Sequence, residues 1–228
     1  MVGEVCEISS ETAWDFLQFK HYAGRRPQIV VAFGWYINTR LVAVCTFGKP
    51  ASNFVCEAVC GKEYRDNVYE LNRLCRIEDL NKQLSQFVSA CLRELTKKDW
   101  IIVSYSDEGM HHNGYIYQAC NFIYTGRTPE RADRCSLDGA HPRHHTHDDT
   151  KYKVVRTPKH RYIYFATSNK KTKKKWEKAL NFPIEPYPKG QNENYTLGEY
   201  QQQVAIDTET GDRFIIDNKK EPDKTELW

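Results

Sequence analysis

An amphipathic helix flanked by two strand patterns constrains the fold of this chain more than any other feature. Between residues 81 and 96, one helix face carries apolar residues at Leu84, Phe87, Val88, Cys91, Leu92 and Leu95. An alternating run from Val68 to Leu74 precedes the helix, and an apolar run from Trp100 to Tyr105 follows it. This order predicts an α/β fold.

Weaker patterns complete the predicted order of elements. Residues 11–19 form a helical pattern with Ser10 as its candidate N-cap. Two β-rich runs, 29–36 and 41–47, predict an antiparallel hairpin. Further predictions are a short helix at 114–120, strands at 122–125, 151–156 and 162–165, a basic helix at 170–180 and a hairpin across 208–213.

Composition indicates a globular chain. Of 228 residues, 40% are hydrophobic and 13% aromatic, enough for a core. We expect one domain over residues 1–190, with a polar excursion at 128–150, and an acidic extension of unassigned role at 191–228. No apolar run approaches the roughly 20 residues that a membrane helix needs, and no secretory signal is recognisable. We therefore expect a cytoplasmic protein without membrane contact.

A polar cluster follows the strand that begins at Trp100. Ser104, Tyr105 and Asp107 end that strand, and His111 and His112 precede the next helix. In open α/β sheets, ligands bind outside the carboxyl ends of strands. A carboxylate, imidazoles and phenols there suit proton transfer or metal ligation. The residues alone leave an ordinary strand-end loop equally open.

Charge is distributed unevenly along the chain. Residues 151–178 contain eleven Lys or Arg and one acid, whereas residues 199–228 contain eight acids and four Lys or Arg. A basic block interleaved with aromatic residues is typical of contacts with a nucleic-acid backbone. A solvated helix face is the alternative.

The order of hairpin, strand, long helix, strand, helix and strand resembles that of the GNAT class of N-acetyltransferases. The resemblance implies a mixed, largely antiparallel sheet flanked by helices. In that class the strand before the long helix and the helix N-terminus hold the pyrophosphate of coenzyme A. The usual Arg-x-x-Gly-x-Gly loop is absent, because residues 73–81 contain no glycine and two acids. Acetyl-CoA is therefore not expected as the donor.

Four segments carry a second, more specific resemblance. Residues 104–126 are similar to a motif Ser-Tyr-Ala-Asp…His-x-Gly-x-Ile-Tyr-Gln-Ala-x-Asn-Trp-x-Tyr-x-Gly, with Ser106 and Phe122 as departures. The other segments are 70–74, 81–87 and 158–165, the last followed by 183–190, and His21-Tyr22 also fits. Over residues 14–190 the chain resembles the Mom DNA-modification proteins of bacteriophages.

That resemblance implies a transferase that adds a carbamoylmethyl group to the N6 amine of adenine in double-stranded DNA. The modification shields phage DNA from restriction enzymes, and it implies a location in the cytoplasm of the infected bacterial host. The partner is double-stranded DNA, and the oligomeric state, including a homodimer, stays open. Iron or another metal is a possible cofactor, with His21, Tyr22 and Asp107 as its ligands.

An adenine amine in a duplex must be flipped out before it can react. Aromatic candidates for stacking on it are Tyr22, Tyr105, Tyr117 and Phe122, with core packing as the alternative. The amine is a weak nucleophile, so a base must accept its proton. Asp107 is the first candidate, and His21 and His111 come next. Tyr22 is a candidate acid, and Ser104 belongs to the same catalytic set.

The remaining site predictions concern the donor and the DNA backbone. Candidate donor-binding residues are Arg73, Asn81 and Ser85, with a core-facing Ser85 as the alternative. Candidate DNA-binding residues are Lys159, His160, Arg161, Lys171 and Lys174. The His-rich stretch at 141–149 has spacing that can bind zinc or nickel adventitiously.

Three rival functions were weighed. A GNAT-like N-acetyltransferase acting on a protein or small molecule would need the coenzyme A loop. An adenine methyltransferase would need a glycine-rich cofactor loop and an Asp/Asn-Pro-Pro-Tyr/Phe motif, and neither occurs. A noncatalytic DNA-binding protein accounts for the basic block but leaves residues 104–126 unexplained.

Overall fold

The computed structural model describes residues 3–77, 83–135, 152–190, 193, 197 and 201–216. The strands are β1 (Glu4–Ile8), β2 (Val31–Ile37), β3 (Arg40–Gly48), β4 (Val68–Arg76), β5 (Trp100–Asp107), β6 (Ile123–Arg127), β7 (Arg131–Cys135), β8 (Tyr152–Arg156), β9 (Lys159–Ala166), β10 (Gln203–Asp207) and β11 (Arg213–Ile216). The α-helices are α1 (Ser10–Leu17), α2 (Asn53–Cys60), α3 (Leu84–Leu95), α4 (Tyr115–Ala119) and α5 (Lys170–Ala179), and short 3-10 turns span Lys62–Asn67 and Glu108–Met110.

Seven strands form the main sheet in the order β1-β2-β3-β4-β5-β9-β6. Among these neighbours the β4–β5 pair is parallel and the others are antiparallel. Helices α3 and α4 pack on one face, and α1, α2 and α5 pack on the other. The predicted mixed, largely antiparallel sheet flanked by helices is confirmed.

Helix α3 forms for the reason that its spacing indicated. All six apolar residues of the predicted face are buried, which anchors the helix on the sheet. The helix begins at Leu84, and residues 78–82, including the predicted start, lie outside the described part. The β2–β3 hairpin also matches its prediction, with Asn38 and Thr39 at φ 49° and 65° in the turn.

Some local predictions were wrong. The N-cap of α1 is Ser9, not Ser10, because Ser9 Oγ accepts the Thr12 N–H at 3.0 Å. Strand β1 and helix α2 were not predicted at all. Among the described residues, no helix is both long enough and apolar enough to cross a membrane.

A second sheet combines the excursion with the C-terminal tail. Its order is β11-β10-β8-β7, so strand β7 falls within the range expected to be a polar excursion. The predicted tail hairpin is β10–β11, and it pairs with β8. Val154, Ala205 and Ile216 form its small core. The residues at 141–149 lie outside the described part.

Candidate functional site

The cleft of this protein opens where β4 and β5 separate. The two strands pair in parallel from Val68 opposite Ile101 to Leu71 opposite Ser104. Beyond that point β4 follows β3 to Arg76, and β5 follows β9 to Asp107. The gap therefore lies at the carboxyl ends of two neighbouring parallel strands, which is where α/β sheets bind ligands.

Asp107 lies at this opening and is fixed there by several partners. Its side chain is 2% exposed, and Oδ2 lies 2.7 Å from Nζ of Lys159 on the neighbouring strand. Oδ1 accepts the Gly109 N–H at 2.9 Å and the Thr157 hydroxyl. A buried carboxylate is tolerated when it is paired and hydrogen-bonded in this way.

Two segments that are distant in sequence bring aromatic rings to Asp107. The loop after α1 stacks His21 on Tyr22 with ring centroids 4.4 Å apart, and Tyr22 meets His112 edge-on at 5.9 Å. Burial, and next the Asp107 carboxylate, raise the pKa of Tyr22 to about 12. Tyr22 is therefore a neutral phenol at physiological pH.

That His21, Tyr22 and Asp107 hold a metal stays a prediction. Burial lowers the pKa of His21 to about 3, so its ring is neutral. Its Nδ1 accepts the Ala23 N–H at 3.0 Å, so a metal at this nitrogen would displace that hydrogen bond. The Asp107 carboxylate is already paired with the Lys159 ammonium. Within the described ranges, no cluster of three His, Cys, Asp or Glu side chains could hold a metal.

The other predicted catalytic residues divide between the two faces of the sheet. Ser104 donates to the Leu71 carbonyl at 3.0 Å and is hydrogen-bonded to Tyr117, whose pKa is raised by burial. Tyr105 packs on the opposite face, with the α2 and α5 cluster. His111 is exposed, in the left-handed conformation that ends the short turn after Asp107. Phe122 is a fully buried core residue.

Arg73 and Glu70 add two more ionisable side chains to the cleft. Arg73 donates to the Arg25 and Asn72 carbonyls at 2.9 and 2.7 Å and interacts electrostatically with Tyr22 and Glu70. Burial raises the pKa of Glu70 to about 7, although Arg73 and then Lys159 act to lower it. Glu70 belongs to the segment 70–74 that shares the family resemblance, but the sequence predicted no role for it.

The other two donor candidates gain no support from the described geometry. Asn81 lies outside the described residues. Ser85 is half-buried in the first turn of α3, where its carbonyl accepts the Cys120 thiol at 3.4 Å. Its assignment to the donor stays a prediction.

Three of the predicted DNA-binding residues have partners inside the protein. Lys159 pairs with Asp107, and His160 Nδ1 lies 2.9 Å from the Tyr124 hydroxyl. Arg161 donates to the Thr125 carbonyl at 2.7 Å, and its guanidinium lies 3.4 Å from the centroid of the Phe182 ring. These side chains are therefore held in the structure before any DNA binds.

Lys171 and Lys174 are exposed on α5. This helix follows Ala166, which pairs with Trp100 at the opposite end of β5 from Asp107. At about 3.3 Å per residue, that strand separates the start of α5 from the cleft by roughly 23 Å. A DNA contact by these two lysines stays a prediction.

Two buried groups make stability depend on pH in opposite directions. The pKa of His21 lies below its ordinary 6.5, so its contribution to stability is lost as pH falls from 6.5 towards 3. The pKa of Glu70 lies above its ordinary 4.5, so its contribution is lost as pH rises from 4.5 to 7. We predict that E70Q gains stability relative to the wild type across that second window, by about 3 kcal/mol.

Urea denaturation at several pH values measures this difference directly. Glu94, which is exposed on α3, supplies the control E94Q, for which no pH-dependent difference is expected. A constant difference between E70Q and the wild type from pH 4.5 to 7.5 would show that Glu70 titrates normally.

The chain is similar to one protein family in sequence and to several acetyltransferases in structure. The model of the Mom protein family matches residues 3–189. No curated protein matches the sequence. Among solved structures, an N-acetyltransferase from Staphylococcus aureus Mu50 is 12% identical with a TM-score of 0.47, covering 73% of this chain and 100% of that chain. A putative acetyltransferase from Acinetobacter baylyi ADP1 is 11% identical with a TM-score of 0.46, covering 84% and 98%.

A third similar structure is the acetyltransferase of Bacillus subtilis in complex with CoA. It is 15% identical with a TM-score of 0.40, and it covers 72% of this chain and 97% of that chain. At these scores the likeness carries no argument about ligand or reaction.

Proposed function

The chain belongs to the Mom protein family, and from this premise we propose that it is a phage DNA-modification transferase that adds a carbamoylmethyl group to N6 of adenine in double-stranded DNA. The observation that carries the proposal is the convergence at the β4–β5 cleft. There Asp107, Tyr22 and His112 meet, although His21-Tyr22 lies far in sequence from residues 104–126. Two of the segments with the family resemblance, 21–22 and 104–126, thus lie together at this cleft.

Base flipping gives the aromatic rings of the cleft a role. Adenine must leave the duplex stack before its amine can react, and the flipped base is held by stacking. Tyr22 and His112 line the opening, and Tyr117 on α4 interacts electrostatically with Tyr22. Tyr22 and Tyr117 are neutral phenols, so both suit stacking on an uncharged base. Phe122 has no part in this, because it is enclosed in the core.

The cations of the cleft suit a donor whose leaving group gains negative charge. Arg73 and Lys159 approach the cleft from β4 and β9 respectively. Charge that develops on a leaving group is stabilised by such preorganised cations. The donor is not expected to be acetyl-CoA, since the loop at 73–81 lacks glycine and carries two acids. No step is assigned to a metal.

The two alternatives make different predictions about DNA. An N-acetyltransferase acting on proteins or small molecules would leave DNA unchanged and acetylate another substrate. A noncatalytic DNA-binding protein would bind the duplex and release it unaltered. The proposed enzyme acts in the cytoplasm of the infected bacterium, where its product would resist restriction.

Mass spectrometry of nucleosides tests the proposal. Plasmid DNA from bacteria expressing the chain is digested to nucleosides and compared with DNA from cells that carry an empty vector. We expect a deoxyadenosine heavier by one carbamoylmethyl group, and restriction enzymes that cut at adenine-containing sites should cleave this DNA poorly. Unchanged deoxyadenosine alongside abundant folded protein would contradict the proposal.

A further inference from the structure

Glu70 lies one residue before the point where β4 and β5 separate. In the strand pair it stands opposite Val103, and its side chain is only partly exposed. The ionisable groups that interact electrostatically with it come from both faces of the sheet: Arg73, Lys159, Tyr105, Tyr117 and Cys56. Glu70 therefore lies among ionisable groups at the point where the two strands begin to separate.

The carboxylates of Asp107 and Glu70 differ in whether an oxygen is still available to accept a proton. Both oxygens of Asp107 are engaged, with Lys159 on one side and with Gly109 and Thr157 on the other. The described part of the structure gives the Glu70 carboxylate no hydrogen-bond donor; its cationic neighbours act on it through their charge alone. A proton acceptor needs an uncommitted lone pair within reach of the substrate, and within the described residues Glu70 keeps one.

We propose that Glu70 is the catalytic base that takes the proton from the N6 amine of adenine. The inference rests on the proposed function and deepens it. In the step, N6 forms a bond to the methylene carbon of an electrophilic carbamoylmethyl donor, and the leaving group departs with the bonding electrons. One N6 proton passes to Glu70 Oε, so the amine stays neutral and Glu70 becomes a carboxylic acid.

The environment of Glu70 suits this role at the pH of a bacterial cytoplasm. Burial raises the pKa of this carboxyl to about 7. A base with a pKa near the working pH is ionised often enough to act and basic enough to accept the proton. Arg73 and Lys159 keep it from rising further, since both favour the charged form.

E70Q tests the assignment, because glutamine keeps the shape of the side chain but cannot accept the proton. Wild type, E70Q and the control E94Q are expressed in bacteria, and modified deoxyadenosine in plasmid DNA is quantified by mass spectrometry. We expect E70Q to lose about 100-fold or more of the modification and E94Q to lose none. Fluorescence anisotropy with a duplex oligonucleotide should show unchanged affinity, which a merely structural role for Glu70 would not preserve.

The outcomes separate the two levels of the proposal. Absence of modification by the wild type would overturn the proposed function itself. Modification by the wild type together with an equal level in E70Q would overturn the role of Glu70 alone. If E70Q does not accumulate as folded protein, Glu70→Asp replaces it, because this variant keeps the carboxyl but withdraws it by one methylene. Full activity of E70D would then contradict a positioned base.

Discussion

Replacing Asp107 by asparagine is expected to reduce adenine modification by about 100-fold, the scale at which misplacing catalytic groups costs activity. Asparagine keeps an oxygen for the Gly109 N–H and the Thr157 hydroxyl but removes the charge that faces Lys159 at 2.7 Å. In this variant the Lys159 ammonium still interacts electrostatically with the Glu70 carboxylate. The pKa of Glu70 should fall, which weakens it as a base.

The same change should lower the free energy of unfolding by about 1–3 kcal/mol, because the Lys159 ammonium, whose side chain is 41% exposed, loses the buried carboxylate that accepts from it. A double variant, D107N with K159M, removes the unpaired ammonium, so it should regain part of this stability without regaining activity. Nucleoside mass spectrometry and urea denaturation measure the two effects separately.

Asp133 offers a matched control for this experiment. It pairs with Arg156 at 3.1 Å on the second sheet, and about a third of each side chain is exposed. D133N should cost less than about 1 kcal/mol, as exposed ion pairs do, and should leave modification unchanged. Full modification by D107N would exclude Asp107 from the chemistry.

The fold was largely predictable because its helices and strands carry strong periodic patterns. Helix α3 shows its buried face in every turn, and the β2–β3 hairpin has a clear break between two apolar runs. Strand β1 escaped prediction because its five residues have the burial of an edge strand, with two of them exposed. The second sheet escaped prediction because β8 pairs with β10 from the tail, and local patterns carry no information about such a distant partner.

The position of the candidate site at the strand ends could be predicted from the sequence, but the contacts between its side chains could not. The strand-end rule placed Asp107 at a ligand-binding edge, and the family resemblance brought His21-Tyr22 to the same place. Lys159 pairs with Asp107 because the two residues stand opposite each other on neighbouring strands. The sequence shows Lys159 only as part of a basic block, which predicted a contact with DNA instead. Glu70 stands in a strand between buried Val68 and Leu71, where a carboxylate is costly. A carboxylate at such a costly position was the one sign in the sequence that Glu70 could have a functional role.

Gly114→Ala is expected to be among the most destabilising single changes in this chain. Gly114 has φ +78°, and a methyl group built on it would lie 2.3 Å from Cε2 and 2.6 Å from Cζ of Tyr162. Tyr162 cannot move aside easily, because it is fully buried and its hydroxyl donates to the Asn113 carbonyl at 2.5 Å. Backbone strain and overpacking together should cost about 2–5 kcal/mol.

Gly61 separates the two causes of that loss. It has φ +85°, but a methyl group built on it meets nothing within 4 Å. Gly61 has ψ 171°, a conformation essentially reserved for glycine, so G61A should cost about 1–3 kcal/mol from backbone strain alone. A larger loss of stability in G114A reports the collision with Tyr162. Because Asn113 and Gly114 join His112 to α4, the collision should displace His112 from Tyr22 and lower adenine modification as well. Equal losses of stability in G61A and G114A would mean that the Tyr162 ring yields, and His112 would then keep its place at the cleft.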